Sequence, residues 1–419
     1  MIQSKYAYDG MHILEHSFKL PVDYTQPDSE LISIFLREIR SNANKKKPYL
    51  VFLQGGPGFE SPRPLTHSGW IKFAMKRYDI LLLDQRGTGR STPANFQTIG
   101  KWSPEKQANY LKFFRADNIV RDVEAIRKEL IGNEPWSILG QSFGGFCALN
   151  YLSFYSDGLK DVFITGGIPP LTAHPDEIYK RTYIRVRNKN EAFFNIFPNA
   201  QKRACEIADL IQKTKPILPN GDELTVERFQ LLGLQLGFSD GYASLNYLFE
   251  NAISYGELSY SFKKGLLGLQ AFDTNPFFTV LHEACYAQEF STDWSAENVR
   301  HAFPEFNPSS RDPFLFTGEM LFPWMLDQFR TLNPLKEAAH ILARKNNWEM
   351  LYDPIQLMNN DIPVAAAVYT NDMYVDRDFS METSQLINGI QYWETDKFDH
   401  NGLRSHGEKI LGKLFKLLD

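Results

Sequence analysis

Cysteine is scarce in this chain of 419 residues. Cys147, Cys205 and Cys285 are odd in number and widely spaced, which excludes a disulfide framework and leaves free thiols of the kind kept in the cytosol. Long apolar runs are missing too. No stretch approaches the roughly 18 uninterrupted apolar residues of a membrane helix, and Met1-Ile2-Gln3-Ser4-Lys5-Tyr6 lacks the apolar segment of a secretion signal. A cytoplasmic protein is expected. No sign of charge dominates: 45 Lys and Arg against 50 Asp and Glu leave a net charge of -5, which does not support binding nucleic acid or a membrane through charge. Aromatic residues are plentiful, with 32 Phe among 14% aromatics. Such large rigid side chains suit a big core or an apolar pocket. The length exceeds one ordinary core, so a core plus one large insertion is expected.

The strongest local pattern is Gly140-Gln141-Ser142-Phe143-Gly144, a Gly-x-Ser-x-Gly sequence. Here a serine can sit on a tight turn between a buried strand and a helix, its hydroxyl exposed. The flanks supply both elements: Pro135 to Leu139 reads as a short apolar strand, and Phe146 to Leu152 as a buried helix. Upstream, His12–Leu20 and Leu31–Glu38 read as antiparallel edge strands. Pro48–Leu53 is a continuous apolar run, as a sheet buried on both faces requires, and Tyr78–Leu83 reads as another buried strand. The first ends at Gln54-Gly55-Gly56-Pro57-Gly58, a loop whose backbone N–H groups can face an oxyanion. The second ends at Asp84-Gln85-Arg86-Gly87-Thr88-Gly89-Arg90-Ser91, which lacks the third glycine of a dinucleotide fingerprint and the Lys-Ser/Thr of a phosphate loop. Asn118–Leu130 is an amphipathic helix, and Asp161–Ile168 a further strand.

Alternating strands and helices with special loops at the strand ends predict a mostly parallel sheet, its site along that edge. From about residue 171 to residue 353 the alternation stops. Helical, aromatic-rich segments such as Leu245–Ile253, Thr279–Ala287 and Pro334–Ala343 predict an inserted helical cap, with a core formed by 1–170 and 354–419. Strands return at Ile362–Tyr369 and Ile390–Glu394, and Gly407–Leu418 forms a terminal helix. A serine nucleophile needs a base, and the base an orienting carboxylate. Asp372 and His400 each follow a strand in the order serine, acid, base. Asp376 and His406 are rivals placed farther from the strand ends, at helix starts.

Gly55-Gly56-Pro57-Gly58, Asp84 to Ser91, Gly140 to Gly145 and Gly166-Gly167-Ile168-Pro169, taken together and in this order, resemble the prolyl aminopeptidase (proline iminopeptidase) family of α/β-hydrolases. The resemblance covers the core and implies an α/β-hydrolase fold with a helical cap. It implies a serine aminopeptidase releasing an N-terminal proline or another small or apolar residue through an acyl-enzyme, without metal or cofactor. Ser142 would be nucleophile, Asp372 acid and His400 base, with the Gly56 and Phe143 amides as oxyanion donors and Gly55 as the alternative. The family loop usually begins with histidine where this chain has Gln54. Family members hold the substrate's free ammonium with cap carboxylates. Phe249-Glu250-Asn251-Ala252 and His282-Glu283-Ala284-Cys285-Tyr286 are similar to those segments, which nominates Glu283 and Glu250, with Glu319 as a third candidate. His282-Glu283 lacks the second histidine of a zinc protease, since Tyr286 stands there. The partner implied is a peptide with a free N-terminus. The alternatives are a lidded esterase acting on neutral acyl substrates and a non-enzymatic binding protein of the same fold.

Overall fold

The computed structural model, which describes residues 2–42 and 45–419, is organised around a nine-stranded sheet. Met1, part of the opening stretch read above, lies outside the described residues. Along the chain run β1 (Ile2–Tyr8), β2 (Met11–Pro21), β3 (Leu31–Arg40), β4 (Tyr49–Leu53), β5 (Asp79–Asp84), β6 (Trp136–Gln141) and β7 (Leu159–Thr165). A two-residue hairpin, β8 (Ile253–Ser254) and β9 (Glu257–Leu258), stands apart, and β10 (Val364–Tyr369) and β11 (Ile390–Thr395) complete the sheet. The spatial order is β1-β2-β3-β5-β4-β6-β7-β10-β11. From β5 to β11 neighbours are parallel; β1, β2 and β3 are antiparallel.

Burial follows from that order. Every residue of β4, β5, β6 and β10 is buried, because helices cover both faces of a parallel sheet. Helices Gly69–Ala74 and Gly407–Leu418 pack on one face, against Phe52, Leu82 and Phe163. Helices Ala116–Ile131 and Phe143–Phe154 pack on the other, in a buried cluster that continues without a break into the residues between β7 and β10. Those residues add no strand to the main sheet. Among the described residues no helix is long and apolar enough to cross a membrane.

Three local expectations need correction. β2 and β3 are antiparallel, but β1 covers β2 at the sheet margin. β1 is exposed at six of seven positions, so it carries no buried apolar alternation and is held by backbone pairing and by the Ser4 and Tyr6 hydroxyls, which donate to Glu15. Thr279–Ala287 is not one helix: Pro276–Val280 stops at Leu281 (φ -120°, ψ 2°) and a single turn, Glu283–Cys285, follows. The change of direction sends His282 and Glu283 to different surroundings. The helix expected over Leu245–Ile253 runs over Gly241–Glu250, before the chain turns into β8.

The loop Asp84 to Ser91 proves to be a scaffold. Asp84 accepts two bonds from Arg63 at 2.7 Å each and another from the Arg90 amide at 2.9 Å. Arg86 is buried in a bidentate pair with Asp122 (2.8 and 2.7 Å) and also donates to the carbonyls of Pro21, Val22 and Phe113. Gln85 Nε2 donates to the Gln54 carbonyl at 3.0 Å, which ties the loop to the glycine-rich turn after β4. Removing one partner of a buried pair strands the other charge, so Arg86→Met is expected to destabilise the fold by roughly 3–5 kcal/mol. The midpoint of urea unfolding measures this; an unchanged midpoint would refute it.

Candidate active site

Ser142 joins β6 to helix Phe143–Phe154 with φ 53° and ψ -125°, a left-handed conformation that costs a non-glycine residue about 1–3 kcal/mol. The surroundings enforce it. The Ser142 amide donates to the Thr165 carbonyl at 3.1 Å, and its carbonyl accepts from the Gly145 amide at 2.7 Å. Glycine is required at 144 because a Cβ there would lie 1.9 Å from the Leu53 carbonyl oxygen. Gly55 packs so tightly on the serine that its Cβ would lie 2.8 Å from that of Ser142. Phe143 opens a helix, where the first N–H groups have no intrahelical acceptor, and Gly55 and Gly56 line the same cavity as Ser142.

His400 follows β11 and is buried with its Nδ1 2.7 Å from Asp372 Oδ2. Asp372 Oδ1 accepts from the Tyr374 and Val375 amides at 2.9 and 3.2 Å, which fixes the carboxylate and leaves Oδ2 to accept from His400. In that arrangement Nδ1 carries the proton and Nε2 is an acceptor. Burial alone would lower the proton affinity of His400, but the Asp372 carboxylate, through charge and hydrogen bond, and Glu319 leave its pKa raised. Tyr374 lies over the imidazole, ring centroids 4.5 Å apart, while its hydroxyl donates to the Leu234 carbonyl.

The rivals are engaged elsewhere. Asp376 caps helix Arg377–Ser384 by accepting from the amides of Asp378 and Phe379, and it receives Arg185 at 2.9 Å. His406 is exposed.

Ser142 and His400 border a cavity of about 280 Å³ whose apolar wall includes Phe238, Leu269, Phe272 and Phe278. Of the three candidate glutamates, only Glu319 lines it. Its side chain is 12% exposed, and burial, assisted by the Asp372 charge and opposed by His400, pushes its pKa up to about 8. His282 Nε2 lies 3.7 Å from it, but burial holds the His282 pKa down at about 3, so this is a neutral contact and no ion pair. Glu283, the first candidate from sequence, is turned away. It accepts from the amides of Ser295 and Ala296 at 3.1 and 3.0 Å, across the start of helix Ser295–Arg300. Despite these donors, burial raises its pKa to about 7. Glu250 is exposed at the end of its helix, receiving Asn246 at 3.3 Å. Glu283 and Glu250 are therefore corrected as candidates for contact with a ligand of this cavity.

A family model for the alpha/beta hydrolase fold matches residues 48–212. A proline iminopeptidase from Aeromonas sobria is 48% identical over 415 residues, 98% of this chain and 98% of that protein. The chain belongs to the proline iminopeptidase family. It is a hydrolase of the peptidase class built on the α/β-hydrolase fold, as the resemblance implied. A second proline iminopeptidase, from Aspergillus aculeatus, is 32% identical over 99% of this chain and 96% of its own. A solved structure titled as a proline iminopeptidase from Mycobacterium smegmatis aligns at TM-score 0.43 and 13% identity, over 96% of this chain and 98% of that one.

For a member of this family, sequence reasoning missed three residues between β7 and β10 that wall the cavity, Leu234, Gln235 and Phe238, and the cation Arg404 that also lines it. Glu319 had a usable signal. It is the single carboxylate in a run, Phe314 to Phe322, that is otherwise buried throughout.

Proposed function

We propose that this aminopeptidase releases N-terminal proline, or a residue of similar size and polarity, with Ser142, Asp372 and His400 as its triad and Glu319 as the reader of the substrate's ammonium. The division into a core of 1–170 and 354–419 and a cap of 171–353 belongs to the same reading: the cap supplies Glu319 and the apolar wall, the core the chemistry. The single observation that carries it is a mostly buried carboxylate bordering the same cavity as the serine and the histidine.

His400 takes the Ser142 proton as the oxygen attacks the first peptide carbonyl. The amides of Phe143 and of Gly56, or of its neighbour Gly55, hold the oxyanion. His400 then protonates the departing amine, and water, activated by the same histidine, releases the acyl group. Glu319 sets the distance from the amine to the scissile carbonyl. An ammonium is well held in an apolar cavity only against an anion, and a cavity walled by Phe238, Phe272 and Phe278 suits a pyrrolidine ring.

The test compares proline arylamide with its N-acetyl form, in wild type and Glu319→Gln. Wild type is expected to cleave only the free amine. The Gln variant is expected to lose about 100-fold in kcat/KM on it, most of it in KM. pH adds a signature. Because the Glu319 pKa of the free enzyme is near 8, kcat/KM should fall with decreasing pH below about 8 as the carboxyl takes up its proton, and the variant should lose that limb and keep the His400 limb, displaced to lower pH because the Glu319 charge no longer raises it. Stability moves in the opposite sense. The folded-state pKa lies above the ordinary 4.5, so Glu319 favours the folded state at low pH and that contribution disappears as pH rises through 8. Glu319→Gln should then be more stable than wild type at pH 9 and not at pH 5. Equal cleavage of free and acetylated substrates would favour the esterase reading instead.

A further inference from the structure

Beside the cavity that holds Ser142 lies a larger one of about 570 Å³, and Gln54, Phe59, Gln141, Ala271 and Arg404 line both. The two spaces share a wall next to the serine. A peptidase must accommodate the chain beyond the scissile bond, and this chamber is the adjoining volume, of a size typical for ligand pockets. Its charges are not equivalent. Arg63 is held bidentate by Asp84 at 2.7 Å, and Glu60 lies 3.8 Å from Arg63. Arg404 sits in the turn Gly402–Ser405 just after His400 and is exposed. Among the described residues no carboxylate comes within 4.0 Å of its guanidinium, and no hydrogen-bond acceptor engages it. It is near enough to His400 to oppose protonation of that ring by its charge.

A guanidinium with its donors uncommitted, at the mouth between two chambers, is suited to a planar anion, which it can bind through two parallel N–H bonds. We propose that the larger chamber is the leaving-group subsite and that Arg404 binds the C-terminal carboxylate of a short peptide. This rests on the aminopeptidase reading above and adds the length and the far end of the substrate. The substrate is then a zwitterion, its ammonium at Glu319 in one chamber and its carboxylate at Arg404 in the next. A long peptide, whose carboxylate falls beyond the chamber, gains nothing from Arg404.

The experiment uses the full chain and a set of peptides of two to four residues beginning with proline, each as free acid and as C-terminal amide. Wild type, Arg404→Met and Arg404→Lys are compared through the acid-to-amide ratio of kcat/KM. Both forms use the same triad and the same Glu319, so any effect of Arg404 on His400 cancels in the ratio. For at least one length wild type should prefer the acid by about tenfold, a preference that shrinks with added salt. The ratio should fall to about one in Arg404→Met and stay intermediate in Arg404→Lys. A wild-type ratio near one at every length, or a ratio that survives in Arg404→Met, overturns the subsite. If the acids, the amides and proline arylamide all go uncleaved, the aminopeptidase reading fails and this proposal falls with it.

Discussion

Ser142→Ala is expected to lower turnover by about 10^5 to 10^6, because the residues of such a triad act as a unit and what remains without the nucleophile is the small acceleration due to binding and oxyanion contacts alone. The fold should be intact. The strained backbone at 142 is held by hydrogen bonds of its own amide and carbonyl to Thr165 and Gly145, not by the hydroxyl. The variant should therefore unfold at the wild-type urea midpoint and bind an uncleaved proline peptide with unchanged affinity. Kinetics of proline arylamide cleavage decide the matter together with labelling by a fluorophosphonate probe. A variant within tenfold of wild type, or one still labelled, would remove Ser142 from the mechanism.

Asp372→Asn is expected to cost about 10^4 in kcat. The sign follows from hydrogen-bond inventory. The side-chain oxygen at Oδ1 accepts from two backbone amides, Tyr374 and Val375, so asparagine keeps its carbonyl there and turns its NH2 toward His400. An NH2 can only donate, which forces Nδ1 to be the acceptor and moves the ring proton to Nε2. The imidazole then has no lone pair for the serine proton. Because the two amides remain satisfied, stability should change little, whereas Asp372→Ala, which strands them, should destabilise as well. The NMR tautomer of His400 at neutral pH would show the switch directly. A variant that retains near full activity would leave the acid's role to another carboxylate, and Asp376 is already committed to a helix cap and to Arg185.

The core was legible because its signals are local. Continuous apolar runs marked β4 and β10, the apolar stretch Ile80–Leu83 marked β5, and the glycines around Ser142 marked a tight turn. Asp372 and His400 were nominated by chain order, since each follows a strand, and the structure sets them 2.7 Å apart. β1 left no trace because nearly all its side chains are exposed, so no buried apolar alternation marks it. The residues between β7 and β10 were harder for a different reason. Whether a glutamate enters a cavity depends on packing between segments far apart in sequence. Glu283, flanked by apolar residues, is indeed buried, but it spends its carboxylate on the amides of Ser295 and Ala296. Burial could be anticipated from the flanking residues; direction could not. Glu319 ranked third because Thr317-Gly318-Glu319-Met320 has no helical period to place it. Arg404 was missed because an exposed arginine is ordinary until a cavity is known to open beside it.

The pairing of β7 with β10 sets Val162 beside Val364, so the sheet closes over an excursion of about 200 residues. Closing a flexible loop of that length costs only about 2 kcal/mol more than closing one of 20, since the entropy grows with the logarithm of length. The sheet is therefore nearly indifferent to how long the excursion is. Its contacts, however, are among the least local in the molecule, and such contacts form late in folding. Refolding should leave β1 to β7 and their helices assembled first, with the serine on its turn before His400 can be brought to it. Ser142 and Glu319 would thus be brought to one cavity only at the final stage.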